Sequence, residues 1–210
     1  TTVGRAVADV ATHRLTPPAI FIVGEVVNLR SQLRWFDDRP LFGRRILVTR
    51  AREQASRLTA GLEAAGAQCI EAPAIRIVEP ETFAPLDAAI ASLRQYTWLG
   101  FTSPNGVTAF FSRLKAAGKD ARHLAGVKVA VIGPETAAAL ERQGIVADVV
   151  PAEFRAEAVV AALAGQVGPQ DRVLIARAEQ AREVLPEELT RLGATVDVVT
   201  AYRTVAGDAD

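Results

Sequence analysis

Short apolar runs alternate with stretches of helical periodicity along most of the chain. Apolar runs bounded by turn residues are typical of buried strands, whereas apolar residues at i, i+3, i+4 and i+7 indicate amphipathic helices. The pattern predicts strands at 19–23, 45–49, 69–72, 98–101, 128–132, 148–151, 172–176 and 195–202. Predicted helices lie between them, with helical periodicity also at 3–14 and 26–35. This alternation predicts an α/β protein with parallel sheets and right-handed crossovers.

Residues 88–205 alone supply five of the predicted strands. That count is typical of a flavodoxin-like doubly wound parallel sheet, which binds its ligands at the carboxyl ends of the strands. A polar break at 37–40 predicts a domain boundary, and the proline-rich stretch 73–85 predicts an extended connector.

The segment 98–114 is the clearest strand–turn–helix unit. An apolar run ends at Phe101, and a helical pattern starts after the polar corner 102–106. Ser103 suits a helix N-cap, and Pro104 suits the first helical position. Such a corner can bind an anion through its first-turn amides, but it is equally an ordinary well-capped turn.

A second corner repeats this plan at 131–136, where Gly133 and Thr136 flank the start of the next helix. An internal repeat is also visible, because the run 45–51 (RILVTRA) resembles 172–178 (RVLIARA), each followed by Glu-Gln-Ala. Descent from a duplicated unit explains this likeness, although βαβ units resemble one another in general.

Composition narrows the possible functions. Half of the 210 residues are apolar, 23% are charged, and the formal net charge is zero, so no long-range field favours nucleic acid or an anionic membrane. No apolar run reaches the roughly 18 residues of a membrane span. The single cysteine, Cys69, is typical of a reducing cytoplasm, and with only two histidines we expect no protein metal site. Tyr202 offers a phenol that can either pack or donate a proton.

Four motifs, taken in order, resemble uroporphyrinogen-III synthase. They are LVTRAREQ, FTSPNGV, VIGPETAAAL and VVTAYRTV, and the likeness covers residues 44–205. The first 36 residues, through TTVGRAVADV and PPAIFIVGEVVNLRSQLRWF, are similar to the carboxyl-terminal end of uroporphyrinogen-III C-methyltransferase. Because the chain begins at Thr1 within a helical pattern, we expect a fragment cut across a methyltransferase–synthase fusion.

The resemblance implies two similar α/β domains. It predicts a methyltransferase remnant at 1–36, a linker at 37–43, the first part of synthase domain 1 at 44–79, and synthase domain 2 at 80–205. The returning half of domain 1 has no counterpart here, so 44–79 is expected to be half a sheet with an exposed edge. The region that would hold S-adenosylmethionine is also missing, so we expect no methyl transfer.

The resemblance also implies the activity: cyclisation of hydroxymethylbilane, a linear tetrapyrrole with eight carboxylates, with inversion of ring D and without metal or organic cofactor. It implies Tyr202 as the acid for the departing hydroxide. The implied carboxylate binders are Thr102, Ser103, Asn105, Gly133 and Thr136, with Arg50 and Arg182 as weaker candidates. Two alternatives stay open, a non-catalytic tetrapyrrole- or anion-binding module and a scaffold segment, and we expect weak or no activity from this chain alone.

Overall fold

The computed structural model describes residues 1–207 and, within them, all side chains except those of 52–55. The α-helices are α1 Ala6–Thr12, α2 Arg30–Leu33, α3 Arg52–Ala64, α4 Ala84–Ala91, α5 Pro104–Ala116, α6 Pro134–Glu141, α7 Ala156–Leu163 and α8 Val184–Arg191. The strands are β1 Arg45–Val48, β2 Gln68–Glu71, β3 Ile75–Val78, β4 Trp98–Phe101, β5 Lys128–Val131, β6 Arg172–Ala178 and β7 Thr195–Ala206. The chain divides into two compact units, Thr1–Ala72 and Pro73–Asp210.

The first unit contains a small parallel pair, β1 and β2, in a register that places Arg45 opposite Gln68 and Val48 opposite Glu71. One prediction for this unit is wrong and another is only partly right. Residues 19–23 form no strand and Ile20 is 89% exposed, because no neighbouring strand offers hydrogen bonds to this apolar run. The predicted helix 26–35 is a 3₁₀ turn, Glu25–Leu29, followed by the short α2. The repeated triplet 53–55 lies outside the described side chains.

The second unit is built around a five-stranded sheet in the order β3-β7-β6-β4-β5. β7, β6, β4 and β5 are parallel, and β3 is antiparallel to β7 at one edge. The predicted connector 73–85 therefore contains a strand, and β3 belongs to the second unit although the sequence grouped it with 44–79. The last strand continues past its predicted end, so Tyr202 lies within β7.

The predicted strand 148–151 is reduced to a single parallel bridge between Val149 and Ala130. The Asp148 carboxylate accepts the Val129 N–H at 2.7 Å, so a side chain replaces one bond of the ladder. Counting this bridge as the third of the five parallel segments, their order across the sheet is 3-2-1-4-5. The flavodoxin-like order, 2-1-3-4-5, is therefore a wrong prediction, because β4 pairs with β6 rather than with the 148–151 segment.

Helices cover both faces of this sheet. α4, α5 and α6 contribute Leu86, Phe110 and Leu140 to one core cluster, and α7 and α8 contribute Val159 and Leu189 to a cluster on the other face. The chain thus changes face between β4 and β6. Such a switch point leaves a crevice at the carboxyl ends of the two strands, where doubly wound proteins bind their ligands. Among residues 1–207, none of the helices combines the length and apolar character of a membrane span.

Candidate functional site at the carboxyl edge of the sheet

The β4–α5 corner forms as the sequence predicts. Ser103 has extended backbone angles, and its Oγ accepts the Gly106 N–H at 3.1 Å, which makes it the N-cap of α5, with Pro104 in the first turn. Thr102, Ser103 and Asn105 are all partly buried. Pro104 has no N–H, and the Gly106 N–H is already bonded to Ser103. Few backbone N–H groups of the first turn of α5 are therefore left to bind an anion. Side chains therefore supply more of the polar chemistry here than amides do.

Tyr202 reaches this corner from β7. Its phenolic oxygen lies 2.9 Å from Ser103 Oγ, a contact across 99 positions of sequence, and the residue is 9% exposed. The register between β6 and β7 shifts just before it: Arg177 lies opposite Thr200, whereas Ala178 lies opposite Tyr202. Ala201 is thus an extra residue, as in a β-bulge, a feature that can re-aim a neighbouring side chain. The Tyr202 carbonyl accepts the Glu179 N–H at 3.0 Å, which holds the strand in the shifted register.

Gly106 lets α5 approach the end of β6 closely. A Cβ at this position would lie 2.8 Å from the carbonyl oxygen of Ala176, a backbone atom of β6. A side chain is therefore excluded by the sheet itself. The first turn of α5 rests on the strand across the switch point, and this close packing fixes the position of Ser103 relative to β6.

The β5–α6 corner is covered, although its sequence plan is similar. Gly133 is the N-cap of α6 without a side-chain cap, and a Cβ there would meet the Phe154 ring at 2.9 Å. Gly133 is buried and Thr136 is 2% exposed, with its N–H donated to the Gly133 carbonyl at 3.1 Å. These two predicted carboxylate binders are therefore buried, Gly133 behind the Phe154 ring, rather than at an open surface.

Arginines gather where β6 ends and α7 and α8 begin. Arg177 is 6% exposed, donates to the Arg182 carbonyl at 2.8 Å, and forms an ion pair with Glu183. Arg182 is exposed and pairs with Glu157 at 2.5 Å. The pKa of the Glu157 carboxyl is lowered, first by a hydrogen bond from its own backbone N–H and then by Arg182.

Arg50 lies in the first unit, just after β1, and is exposed. The predicted role of Arg50 in binding a substrate carboxylate therefore stays a prediction. The sequence reasoning also missed Arg177, which occupies the place of Arg50 in the internal repeat. The repeat was its signal, although Arg177 is 6% exposed whereas the equivalent Arg50 is exposed.

A cleft connects these groups. It has a volume of about 280 Å³ and lies between the ends of β4, β6 and β7 and the first turns of α7 and α8. Thr102, Tyr202, Arg177 and Arg182 contribute to its wall, so the structure brings together four polar groups from β6, β7, the β4–α5 corner and the loop before α8. Among residues 1–207, no group of three or more His, Cys, Asp or Glu side chains has the arrangement of a metal site.

The amino edge of the same sheet is also polar. Arg172 pairs with Asp197 at 2.8 Å and donates to Gln95 Oε1 at 2.7 Å, and its guanidinium lies 5.1 Å from the Tyr96 ring centre. Burial, together with the Asp197 carboxylate, raises the pKa of Tyr96 to about 12. At this edge the polar side chains are therefore paired with one another.

The fold and the site define a doubly wound α/β protein with a candidate ligand site at the switch point of its sheet. A family profile described as uroporphyrinogen-III synthase HemD matches residues 56–210. The chain belongs to the uroporphyrinogen-III synthase family.

Curated relatives agree with this assignment, and a solved structure shares the fold. The chain is 35% identical over 203 residues to a porphyrin biosynthesis protein HemD of Ruminiclostridium josui, covering 97% of this chain and 40% of that protein. It is 41% identical over 166 residues to a uroporphyrinogen-III synthase of Synechococcus elongatus, covering 79% of this chain and 62% of the relative. The fold resembles a mutant uroporphyrinogen III synthase of Thermus thermophilus, with a TM-score of 0.59 at 17% identity over 79% of this chain and 64% of the other. The chain thus spans only part of the length of its relatives.

Proposed function

We propose that this chain is part of a uroporphyrinogen-III synthase, a cyclising lyase that converts hydroxymethylbilane to uroporphyrinogen III with inversion of ring D. Family membership supports the reaction class. The single observation that carries the assignment of chemistry to this unit is the 2.9 Å contact between Ser103 Oγ and the Tyr202 phenol, beside a cleft at the switch point.

The hydrogen bonds of Ser103 are compatible with a role of Tyr202 as a proton donor. A serine hydroxyl has one hydrogen to donate and two lone pairs, and one lone pair of Ser103 already accepts the Gly106 N–H. When Ser103 donates its hydrogen to the Tyr202 oxygen, the phenolic hydrogen is left for a group in the cleft. The phenol is then oriented by Ser103 and can act as a general acid.

The proposed reaction starts with loss of the terminal hydroxyl group. The bond between the terminal methylene and the hydroxyl oxygen breaks, and the electron pair leaves with the oxygen. Tyr202 gives its proton to that oxygen, which departs as water, and the cation is delocalised onto the terminal pyrrole. Ring D attacks through its substituted carbon, and the resulting spiro intermediate fragments and recloses inverted. The proton released on closure returns to the tyrosinate.

The proposed substrate contacts fall into an open group and a covered group. Thr102, Ser103, Asn105 and Arg182 are at least partly exposed, and we assign them to the carboxylates. Gly133 and Thr136 are both buried, and Gly133 can take part only if the Phe154 ring moves aside, which its 66% exposure allows. Arg50 is proposed as a contact from the first unit. Holding a flexible tetrapyrrole in one register is mainly a matter of orientation.

The experiment replaces each of the two tyrosines in the complete gene product. Hydroxymethylbilane is supplied, and the type I and type III isomers are separated by chromatography. We expect Tyr202→Phe to lower the rate of type III formation by about 100-fold, the lower range for loss of a general acid. Tyr96→Phe, at the opposite edge of the sheet, is the matched control and should keep the rate within about twofold.

Unchanged type III formation by a folded Tyr202→Phe protein would remove this tyrosine from the mechanism. In a further outcome, the complete gene product binds hydroxymethylbilane and yet yields only the type I isomer, which forms without the enzyme. That result would favour the non-catalytic binding module over the synthase. Folding is checked by fluorescence of Trp98, which is 2% exposed in the core of the same unit.

We also propose that residues 1–36 are the end of a fused uroporphyrinogen-III C-methyltransferase, and that the protein works in the cytoplasm. The match to the Ruminiclostridium relative spans 97% of this chain but only 40% of that longer protein, which supports a multi-domain parent. Sequencing the gene upstream of Thr1 tests the fusion. A reading frame without a methyltransferase domain there would refute it.

A further inference from the structure

The cleft beside Tyr202 is apolar on its inner wall and cationic at its rim. The apolar surface comes from Ile132, Leu185 and the Phe154 ring, and the positive charge comes from Arg155 and Arg182. Binding sites for small molecules commonly combine such an apolar lining with a few well-placed polar groups. A flat ring that carries acidic groups would match both parts of this cleft.

The arginines of the cleft have glutamate partners that lie outside it. Arg155 pairs with Glu153 at 2.6 Å and Arg182 pairs with Glu157 at 2.5 Å, and both pairs are exposed. Among the described residues that line the cleft are both arginines but neither glutamate. Exposed ion pairs contribute at most about 1 kcal/mol, so a carboxylate entering the cleft can replace either glutamate at little cost.

Arg177 has a different role from these two arginines. It is 6% exposed and donates to the Arg182 carbonyl at 2.8 Å, so it anchors the loop that carries Arg182. The Arg177 side chain is buried although that of Glu183 is 59% exposed, so loss of this ion pair would leave a buried charge without a partner carboxylate. Arg177 is therefore a fixed support, and Arg155 and Arg182 are the exchangeable cations.

The size of the cleft limits what it can hold. Its volume of about 280 Å³ is just below the range of ligand pockets, which begins near 300 Å³. A linear tetrapyrrole has four substituted rings, so only a part of it can enter. The remainder must lie outside the cleft.

We infer that this cleft is a subsite for one pyrrole ring with its acetate and propionate arms, whose carboxylates replace Glu157 on Arg182 and Glu153 on Arg155. The inference rests on the proposed function, because that function supplies the pyrrole carboxylates. The ring packs against Ile132 and the exposed Phe154 ring, with the Tyr202 phenol at the cleft's edge. Binding of a single ring does not require the reaction to occur.

The test uses porphobilinogen, a single pyrrole with one acetate and one propionate, titrated into the 210-residue chain and followed by isothermal titration calorimetry. We expect Arg182→Gln to weaken binding about tenfold, the loss typical of one charge-assisted hydrogen bond. Glu157→Gln should tighten binding about two- to fivefold, because Arg182 is released from its exposed pair. Glu188→Gln is the matched control, since it frees Arg191 of another exposed pair and changes the net charge equally.

Tighter binding in Glu157→Gln but not in Glu188→Gln supports exchange at Arg182. Equal tightening in both variants would mean that the gain in affinity comes from the change in net charge alone, and this would overturn the proposed subsite. Porphobilinogen that does not bind the folded chain, or binds it equally well after Arg182→Gln, would also overturn the subsite. The proposed function is judged separately, because type III formation by the complete gene product does not depend on these titrations.

Discussion

The β4–α5 and β5–α6 corners share a local plan but have different surroundings. Each leads from a buried strand through a small N-cap residue and a proline into a helix. In the first corner Ser103 is partly buried and reaches Tyr202, whereas in the second Gly133 lies behind the Phe154 ring. The difference shows that a capped corner becomes a candidate site only when its tertiary neighbours leave it open and add chemistry.

The largest expected effect concerns the packing of the first corner. Gly106→Ala places a Cβ 2.8 Å from the Ala176 carbonyl, which belongs to the sheet and cannot move aside. We expect the free energy of unfolding to fall by about 2 kcal/mol, as for other overpacked positions, even though alanine favours helices. Denaturant unfolding in a Trp35→Phe background, followed by Trp98 fluorescence, measures this second unit alone.

The control is Gly168→Ala, since no atom lies within 4 Å of a Cβ at that position. It should change the unfolding free energy by less than about 0.5 kcal/mol. If Gly106→Ala were equally harmless, the close packing of α5 on β6 would not fix the corner.

A smaller effect concerns the contact that distinguishes the two corners. Ser103→Ala should cost about 1 kcal/mol for the lost cap, and Tyr202→Phe about 1 kcal/mol for the lost hydrogen bond. Because the two hydroxyls lie 2.9 Å apart, a double-mutant cycle should give a coupling energy of about 1 kcal/mol. Ser103→Ala combined with Tyr96→Phe should be additive. Additivity in both cycles would mean that the hydroxyls do not interact in solution.

The smallest effect is expected in the second corner. Gly133→Ser would give it the capping hydroxyl of the first, and the three atoms nearest to the new Cβ all belong to Phe154, whose side chain is 66% exposed and can move away. We expect a change in unfolding free energy within about 0.5 kcal/mol, measured in the same assay. A loss near that of Gly106→Ala would show that Phe154 is as rigid a cover as the β6 backbone.

The features that the sequence predicts well are local. The strand 98–101, the cap at Ser103 and the proline start of α5 depend on neighbouring residues, and all are confirmed. The strand order depends on which strands pair across long distances, and here the flavodoxin-like prediction was wrong. The cover over Gly133 likewise depends on Phe154, which is distant in sequence and carries no motif.

The sequence predicted which residues belong to the candidate site better than it predicted how they contact one another. The resemblance named both Ser103 and Tyr202, but their contact requires an extra residue at Ala201 that strand alternation does not reveal. It named Arg182 but not Arg177, although a buried arginine at the end of β6 supports the same loop. Long-range register and burial decide these points, and neither is encoded in a short motif.

The account holds that the carboxyl edge of the sheet, and not its amino edge, handles the tetrapyrrole. The most direct measurement is a titration of the ¹⁵N-labelled chain with uroporphyrinogen III under anaerobic conditions, followed by amide chemical shifts. The account predicts that the largest shifts fall on 102–106, on 178–182 and at Tyr202, while the amides of Tyr96 and Arg172 stay unchanged. Shifts concentrated around Tyr96 and Arg172, with 102–106 unmoved at saturation, would contradict it.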